Sequence, residues 1–356
     1  MEMRKAFLIV PIILIAACGK ETASVPVVEN TPMRLYSNAK SGGTESSCDR
    51  AVFLFWDFRD MIENTEHPVP LIVCFPENTI DTYSRPNPPY DTGRLYPDGN
   101  RRAMATGYAP SSLVLDEVNG ESRPDYEKLS IPDDSLCMMD VLTSVKPIVG
   151  SASLPFDRTG GETLEFMHAH SKISIKAKLS EDMQHFIRNV RISPYKNVIA
   201  NRLEWDRKES LYKTVAVWND NDADYPLSFG EAEDAGQLTA QNTNDVCELY
   251  LASRIVEVPV RITVNRSEDV QFTDYKEVSF NATLTFEMER NPGSPEDMKT
   301  DGELKEDYIL YENEAYTFTL VFGEDSIELT GRKCEWEDGG NIVIPIYPIE
   351  PDDSTI

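Results

Sequence analysis

Only four histidines occur in 356 residues, and the chain has none of the motifs that would organise them for chemistry. HExxH, GxSxG, P-loop and dinucleotide fingerprints are all missing, so the common residue sets for general-base and phosphate chemistry are not assembled locally. Cysteine is scarce. Beyond Cys18 the thiols are Cys48, Cys74, Cys137, Cys247 and Cys334, an odd set without CxxC spacing. This excludes a dense disulfide framework and argues against zinc, while leaving room for one or two bridges in an oxidising compartment. Positive charge is in deficit: 34 Lys and Arg face 61 Asp and Glu, a formal net charge of −27. A chain without a basic face makes a poor partner for nucleic acid or for a bare anionic membrane, because phosphate binding needs clustered cations. After the first eighteen residues no apolar run is long enough to span a bilayer as a helix, so the remainder is expected to be soluble. Amphipathic helical periodicity is nearly absent as well.

What is present begins with MEMRKAFLIVPIILIAAC. Arg4 and Lys5 give a positive start, Ala6 to Ile15 an apolar run too short for a stable transmembrane helix, and small residues lead into a cysteine, the pattern of an export signal. The ending Leu14-Ile15-Ala16-Ala17-Cys18 resembles a bacterial lipobox, which implies cleavage before Cys18 and lipid on that residue. Each buried methylene of an acyl chain contributes about 0.8 kcal/mol, so several chains on one residue hold a protein to a membrane without a spanning helix. Residues 1–17 are therefore read as a lipoprotein signal, with the mature protein outside the cytoplasm at the outer membrane. Removing them makes the chain one unit more negative, since they hold Glu2, Arg4 and Lys5.

Residues 18–49 are polar and Gly/Ser-rich, with one extended piece around Met33 to Tyr36, and read as a tether with a first strand. From Ala51 onward β-branched and aromatic runs are cut by Pro, Gly, Asn and Asp, as in AVFLFWDF at 51–58 and DVLTSVKPIVG at 140–150. LEFMHAHSKISIKAKL at 164–179 alternates as one half-buried strand should, and Ser180 is placed to cap a short helix reaching Phe186. Many short strands with almost no helices between them predict an all-β protein of antiparallel β-sandwiches. Paired glycines in PFDRTGGE set a boundary near residue 160, giving an N-terminal domain over 50–160 and a C-terminal domain over 161–356.

Few constellations could carry chemistry. His168 and His170 share one side of the expected strand, but a zinc site needs a further protein ligand that the local sequence does not offer. Asp220, Asp222 and Asp224 have the alternate-acid spacing of a calcium loop, with Glu231 at the twelfth position. Tyr225 stands where the sharp turn wants glycine, Pro226 follows, and neither flank reads as a helix, so an irregular acidic loop is the expectation. No cofactor and no enzymatic activity are predicted; a paired-acid glycosidase would be invisible among so many carboxylates. Tyr83, Tyr90, Tyr96 and Tyr108 suit either sugar-ring contacts or packing of sheet edges.

Several blocks together resemble the fimbrillin family of Bacteroidetes, the subunits and accessory proteins of type V pili. These are ATGYAP at 105–110 with DVLTS at 140–144, HAHSKISIKAKL at 168–179, and LYENEAYTFTLVFG at 310–323 followed by CEWEDGGNIVI at 334–344. The resemblance implies two transthyretin-like antiparallel β-sandwich domains in tandem, export as an outer-membrane lipoprotein, and assembly by strand exchange into a fimbrium that serves adhesion. It further implies an arginine-specific cut after the first strand, for which Arg50 followed by Ala51 is the candidate; the alternative is a surface arginine in a linker. Arg34 and Arg59 are poorer sites. The C-terminal NIVIPIYPIEP offers a donor strand with Ile342, Ile344 and Ile346 at period two, or else a strand that pairs within its own domain. Partners implied are other fimbrillin subunits in a homo- or hetero-polymer, the outer membrane through lipid, and a host or bacterial surface ligand. The competing reading is a non-polymerising surface lipoprotein that binds glycan or a host protein.

Overall fold

The computed structural model describes residues 31–39, 51–62, 67–74, 89–97, 100–120, 122–218, 226–227, 237–255, 257–284, 310, 312–324, 327–334 and 342–346. Within them the chain is built from strands, with short helical turns, as the sequence predicts. Among the described residues no helix is long and apolar enough to cross a membrane.

The N-terminal half centres on a seven-stranded sheet. Its path runs β2 (Ser37–Ala39), β11 (Leu164–His168), β9 (Leu142–Ser144), β6 (Ala103–Ala109), β3 (Val52–Asp57) and β4 (Ile72–Cys74). A seventh strand, β10 (Ile148–Gly150), pairs with the start of β6, while β9 pairs with its end. The unbroken apolar run of β3 follows from its position. Val52, Leu54 and Trp56 enter the larger core cluster, Phe53 and Phe55 enter a smaller one, and every residue of the strand is buried. A strand covered on both faces has no solvent side on which polar residues would alternate.

Over one face of this sheet lies a two-stranded piece, β1 (Pro32–Leu35) with β5 (Tyr90–Leu95). The larger core cluster on the other face also takes Leu129, Leu203 and Tyr212 from a four-stranded sheet ordered β15 (Leu211–Val215), β14 (Arg202–Asp206), β8 (Pro124–Ser130) and β7 (Val114–Glu117). Strands from both sides of residue 160 thus share two sheets: β14 pairs with β8, and β11 pairs with β9.

The rest of the chain forms a sandwich. One sheet is β16 (Asn244–Leu251), β12 (Ser171–Leu179), β19 (Ala315–Phe322), β20 (Ile327–Cys334) and β21 (Ile342–Ile346); the other is β13 (Phe186–Pro194), β17 (Val258–Ser267) and β18 (Lys276–Leu284). Ile173, Ile175 and Ala177 of β12 meet Val260, Ile262 and Val264 of β17 in a common apolar cluster, the strict alternation of both strands supplying one buried face each.

Three local expectations are corrected. The run 164–179 is two strands that change sheets at Ala169 and His170, because β11 completes the seven-stranded sheet while β12 opens the sandwich. Pairing is not wholly antiparallel: β12 runs parallel to β19 over Lys172↔Ala315 to Leu179↔Phe322, and β11 runs parallel to β2. In the first pair the strands are separated by most of a domain, which provides the long crossover that parallel neighbours require. No helix forms after Ser180. Its hydroxyl binds Asp182 and its carbonyl receives the Met183 amide at 3.3 Å, so a turn forms instead.

Candidate functional site: a core face closed by the first strands

Met33 and Leu35 alternate with Pro32 and Arg34 along β1, which puts the two apolar side chains inward, 1% and 0% exposed. They join a compact cluster with Phe53, Phe55, Phe156 and Phe166. Two further hydrogen bonds hold the first part of the strand. Thr92 Oγ1 donates to the Met33 carbonyl at 2.9 Å, and the Tyr96 amide donates to the Thr31 carbonyl at 3.0 Å. The chain then steps sideways. The Leu164 amide donates to the Tyr36 carbonyl at 2.8 Å, and β2 pairs with β11 through Ser37↔Leu164, Asn38↔Glu165 and Ala39↔Phe166. Residues 32–39 therefore pair with two different strands, and Met33 and Leu35 pack into one apolar cluster.

On the solvent side Arg34 Nε donates to Asp91 Oδ2 at 2.8 Å. The Gly93 amide and the Arg34 guanidinium hold the Asp91 carboxyl below the usual aspartate range. Both side chains are nearly half exposed, so this pair fixes register more than it stabilises.

Beneath the strands the pocket floor is aromatic. Phe53 meets Tyr90 edge-on at 5.5 Å and Phe166 at 6.0 Å, while Tyr96 lies 5.4 Å from Phe156. The Phe156 amide donates to the Tyr96 hydroxyl at 2.7 Å, and burial pushes that phenol upward in pKa. The ATGYA segment of β6 gives these rings their room. A Cβ built on Gly107 would stand 2.7 Å from the Val52 carbonyl oxygen and 2.9 Å from the Phe166 ring. Thr106 and Ser144 bridge β6 and β9 by a buried hydroxyl pair at 2.5 Å.

Ala51, the residue after the candidate cleavage arginine, is 0% exposed and belongs to the same cluster. Arg50 itself, Cys18, and Asp220, Asp222 and Asp224 lie outside the described residues. Arg34 is held in β1 by its ion pair, and Arg59 is exposed in the five-residue helix Phe58–Ile62. Ile342, Ile344 and Ile346 lie on β21, which pairs with β20 in register Ile327↔Ile346 to Gly331↔Ile342. That strand ends its sheet, so among the described residues its second edge has no strand neighbour.

His168 and His170 have different neighbours. His168 is fully buried with Nδ1 2.7 Å from Asp140 Oδ1. His170, 2% exposed, sets its ring edge-on to Tyr250, and burial lowers its pKa to about 4. Of the tyrosines, Tyr96 and Tyr108 are buried and Tyr90 packs half-buried against the smaller cluster; Tyr83 lies outside the described residues. Burial raises Tyr108 to about 12, Tyr126 adding to the effect.

The geometry defines an all-β protein in which an N-terminal strand pair completes a core built by later strands. No protein-family model and no curated protein matches the chain. Among solved structures it overlays on a fimbrial assembly protein from Parabacteroides distasonis, with 9% identity, a TM-score of 0.41, and coverage of 89% of this chain and 100% of that one. It also overlays on the tip fimbrial protein Mfa3 from Porphyromonas gingivalis, truncated at its C-terminus, with 14% identity, a TM-score of 0.36, and coverage of 86% and 100%. Overlays this loose transfer no residue role to this chain.

Proposed function

We propose that the protein is a fimbrillin-like, pilus-associated surface lipoprotein that assembles by β-strand exchange and contributes to adhesion. The observation that carries this reading is the seat of residues 31–39. They fill an aromatic cluster with two side chains and satisfy backbone groups on two neighbouring strands, yet the chain joins them to all later strands through the segment that contains Arg50. A cut after Arg50 would free this piece and leave an apolar groove with unpaired edges on β5 and β11, the kind of surface that accepts a strand from another subunit. Cys18 would serve in export and would leave with the piece. The sequence blocks that resemble fimbrillins support the same reading, as does the all-β fold.

One pair of observations favours the alternative, a stand-alone lipoprotein held for life by Cys18. Ala51, beside the candidate bond, is fully buried, and β21 is already paired in its own sheet. A protease would need local opening at the start of β3 before it could cut there.

Treatment of the purified chain with an arginine-specific protease separates the two. The proposal expects one early cut after Arg50, loss of the fragment that contains Met33 and Leu35, and a ladder of high-mass species. A chain that stays monomeric and retains residues 31–39 after the cut would overturn the polymerising reading and leave the stand-alone one.

A further inference from the structure

The geometry points to a divalent-metal site formed by His67, Asp125 and Glu127. The ligand atoms of the three residues lie within 4.8 Å of one another. Asp125 and Glu127 come from β8 where its pairing with β7 slips, Leu115↔Leu129 being followed by Asp116↔Asp125, while His67 comes from the segment before β4. The Arg123 guanidinium donates to the His67 carbonyl at 3.0 Å and ties the two segments together.

The carboxylates are not solvated surface acids. Their side chains are 2% and 14% exposed. Burying an anion is unfavourable unless it is paired or bound to a cation. Glu127 is matched by Arg207, at 2.7 Å and 2.9 Å from its two oxygens. Asp125 is less well served. Its Oδ1 accepts the Glu127 amide, while the nearest cation to Oδ2 is the partly exposed Lys128 at 3.9 Å.

The contact between His67 and Asp125 is the telling one. Nδ1 stands 3.3 Å from Oδ2, but that buried nitrogen has no hydrogen-bond partner. The two atoms are close without forming a hydrogen bond, and a shared cation would satisfy both. Zinc bonds to imidazole nitrogen and carboxylate oxygen are roughly 2.0–2.2 Å, which makes the edge of a zinc tetrahedron about 3.4 Å. The observed separation fits that edge. Each carboxylate oxygen offers two lone-pair directions, so Glu127 can keep Arg207 and still face the ion. A hard or borderline divalent ion such as zinc suits one imidazole and two carboxylates, with water completing the shell. Bound there, it would staple the connection between β3 and β4 to the hairpin of β7 and β8.

The test uses the exported chain stripped of metal with a chelator and titrated with zinc chloride by calorimetry, with thermal unfolding read in parallel. Wild type should bind one equivalent and gain thermal stability, since an ion that binds only the folded state shifts unfolding upward. His67→Ala, a partly exposed position, should fold as wild type does, bind zinc at least tenfold more weakly and lose the thermal gain. His185→Ala, on the other sandwich, should keep both. No zinc binding by wild type, or equal binding by wild type and His67→Ala, overturns the assignment and leaves a plain ion-pair cluster.

Discussion

Truncation of Leu35 to alanine probes whether β1 is part of the core or a strand laid over it. Leu35 is 0% exposed and packs into the smaller cluster with Phe53 and Phe166. Three carbons are lost, and at about 0.8 kcal/mol per methylene the transfer cost alone is roughly 2.4 kcal/mol. The rings beneath are pinned by β6 and β9, so the void can collapse only in part, and the full loss should reach about 2.7–5 kcal/mol. The neighbouring residue supplies the control. Arg34→Ala removes an ion pair whose partners are nearly half exposed, worth about 0–1 kcal/mol. Urea unfolding of wild type and both variants, followed by tryptophan fluorescence, measures the two losses side by side. Equal losses, or a loss under about 1 kcal/mol for Leu35→Ala, would show that β1 rides on the surface and that the groove argument is wrong.

Further outcomes are expected elsewhere. Gly107→Ala should destabilise by about 1–3 kcal/mol in the same assay, because its new methyl group meets backbone oxygen and a packed ring that cannot swing away. His170 is buried with its pKa lowered to about 4 from 6.5, so the folded state resists its protonation. Its contribution is present above pH 6.5 and lost as pH falls from there toward 4, by up to about 3 kcal/mol; His170→Gln should flatten that part of the stability profile. Burial raises the Cys247 thiol to about 12 and Cys137 further, so neither should react with iodoacetamide at pH 8 until denaturant is added, as mass spectrometry of the alkylated chain can read.

Much of the architecture was legible because strands announce themselves by period. The apolar run of β3, the alternation of β12 and the extended piece around Met33 all appear as strands. Pairing partners were not legible, since they depend on contacts far apart in sequence. Nothing local says that β11 belongs with β9 while β12, two residues later, belongs with β19. The same limit hid His67, Asp125 and Glu127. The alternate acids on β8 were a visible signal, but a histidine nearly sixty residues earlier was not. The role of Gly107 was hidden too, because the small residues of ATGYA make sense only once Phe53 and Phe166 are seen to lie against them.

The most direct test of the account is the N-terminus of the protein on the cell surface. Intact-mass and terminal-peptide measurement of the surface-assembled protein should find chains that start at Ala51, recovered from high-mass species without residues 18–50. Recovery of nothing but acylated Cys18 at the N-terminus, in monomeric protein with the first strands still in place, would contradict it.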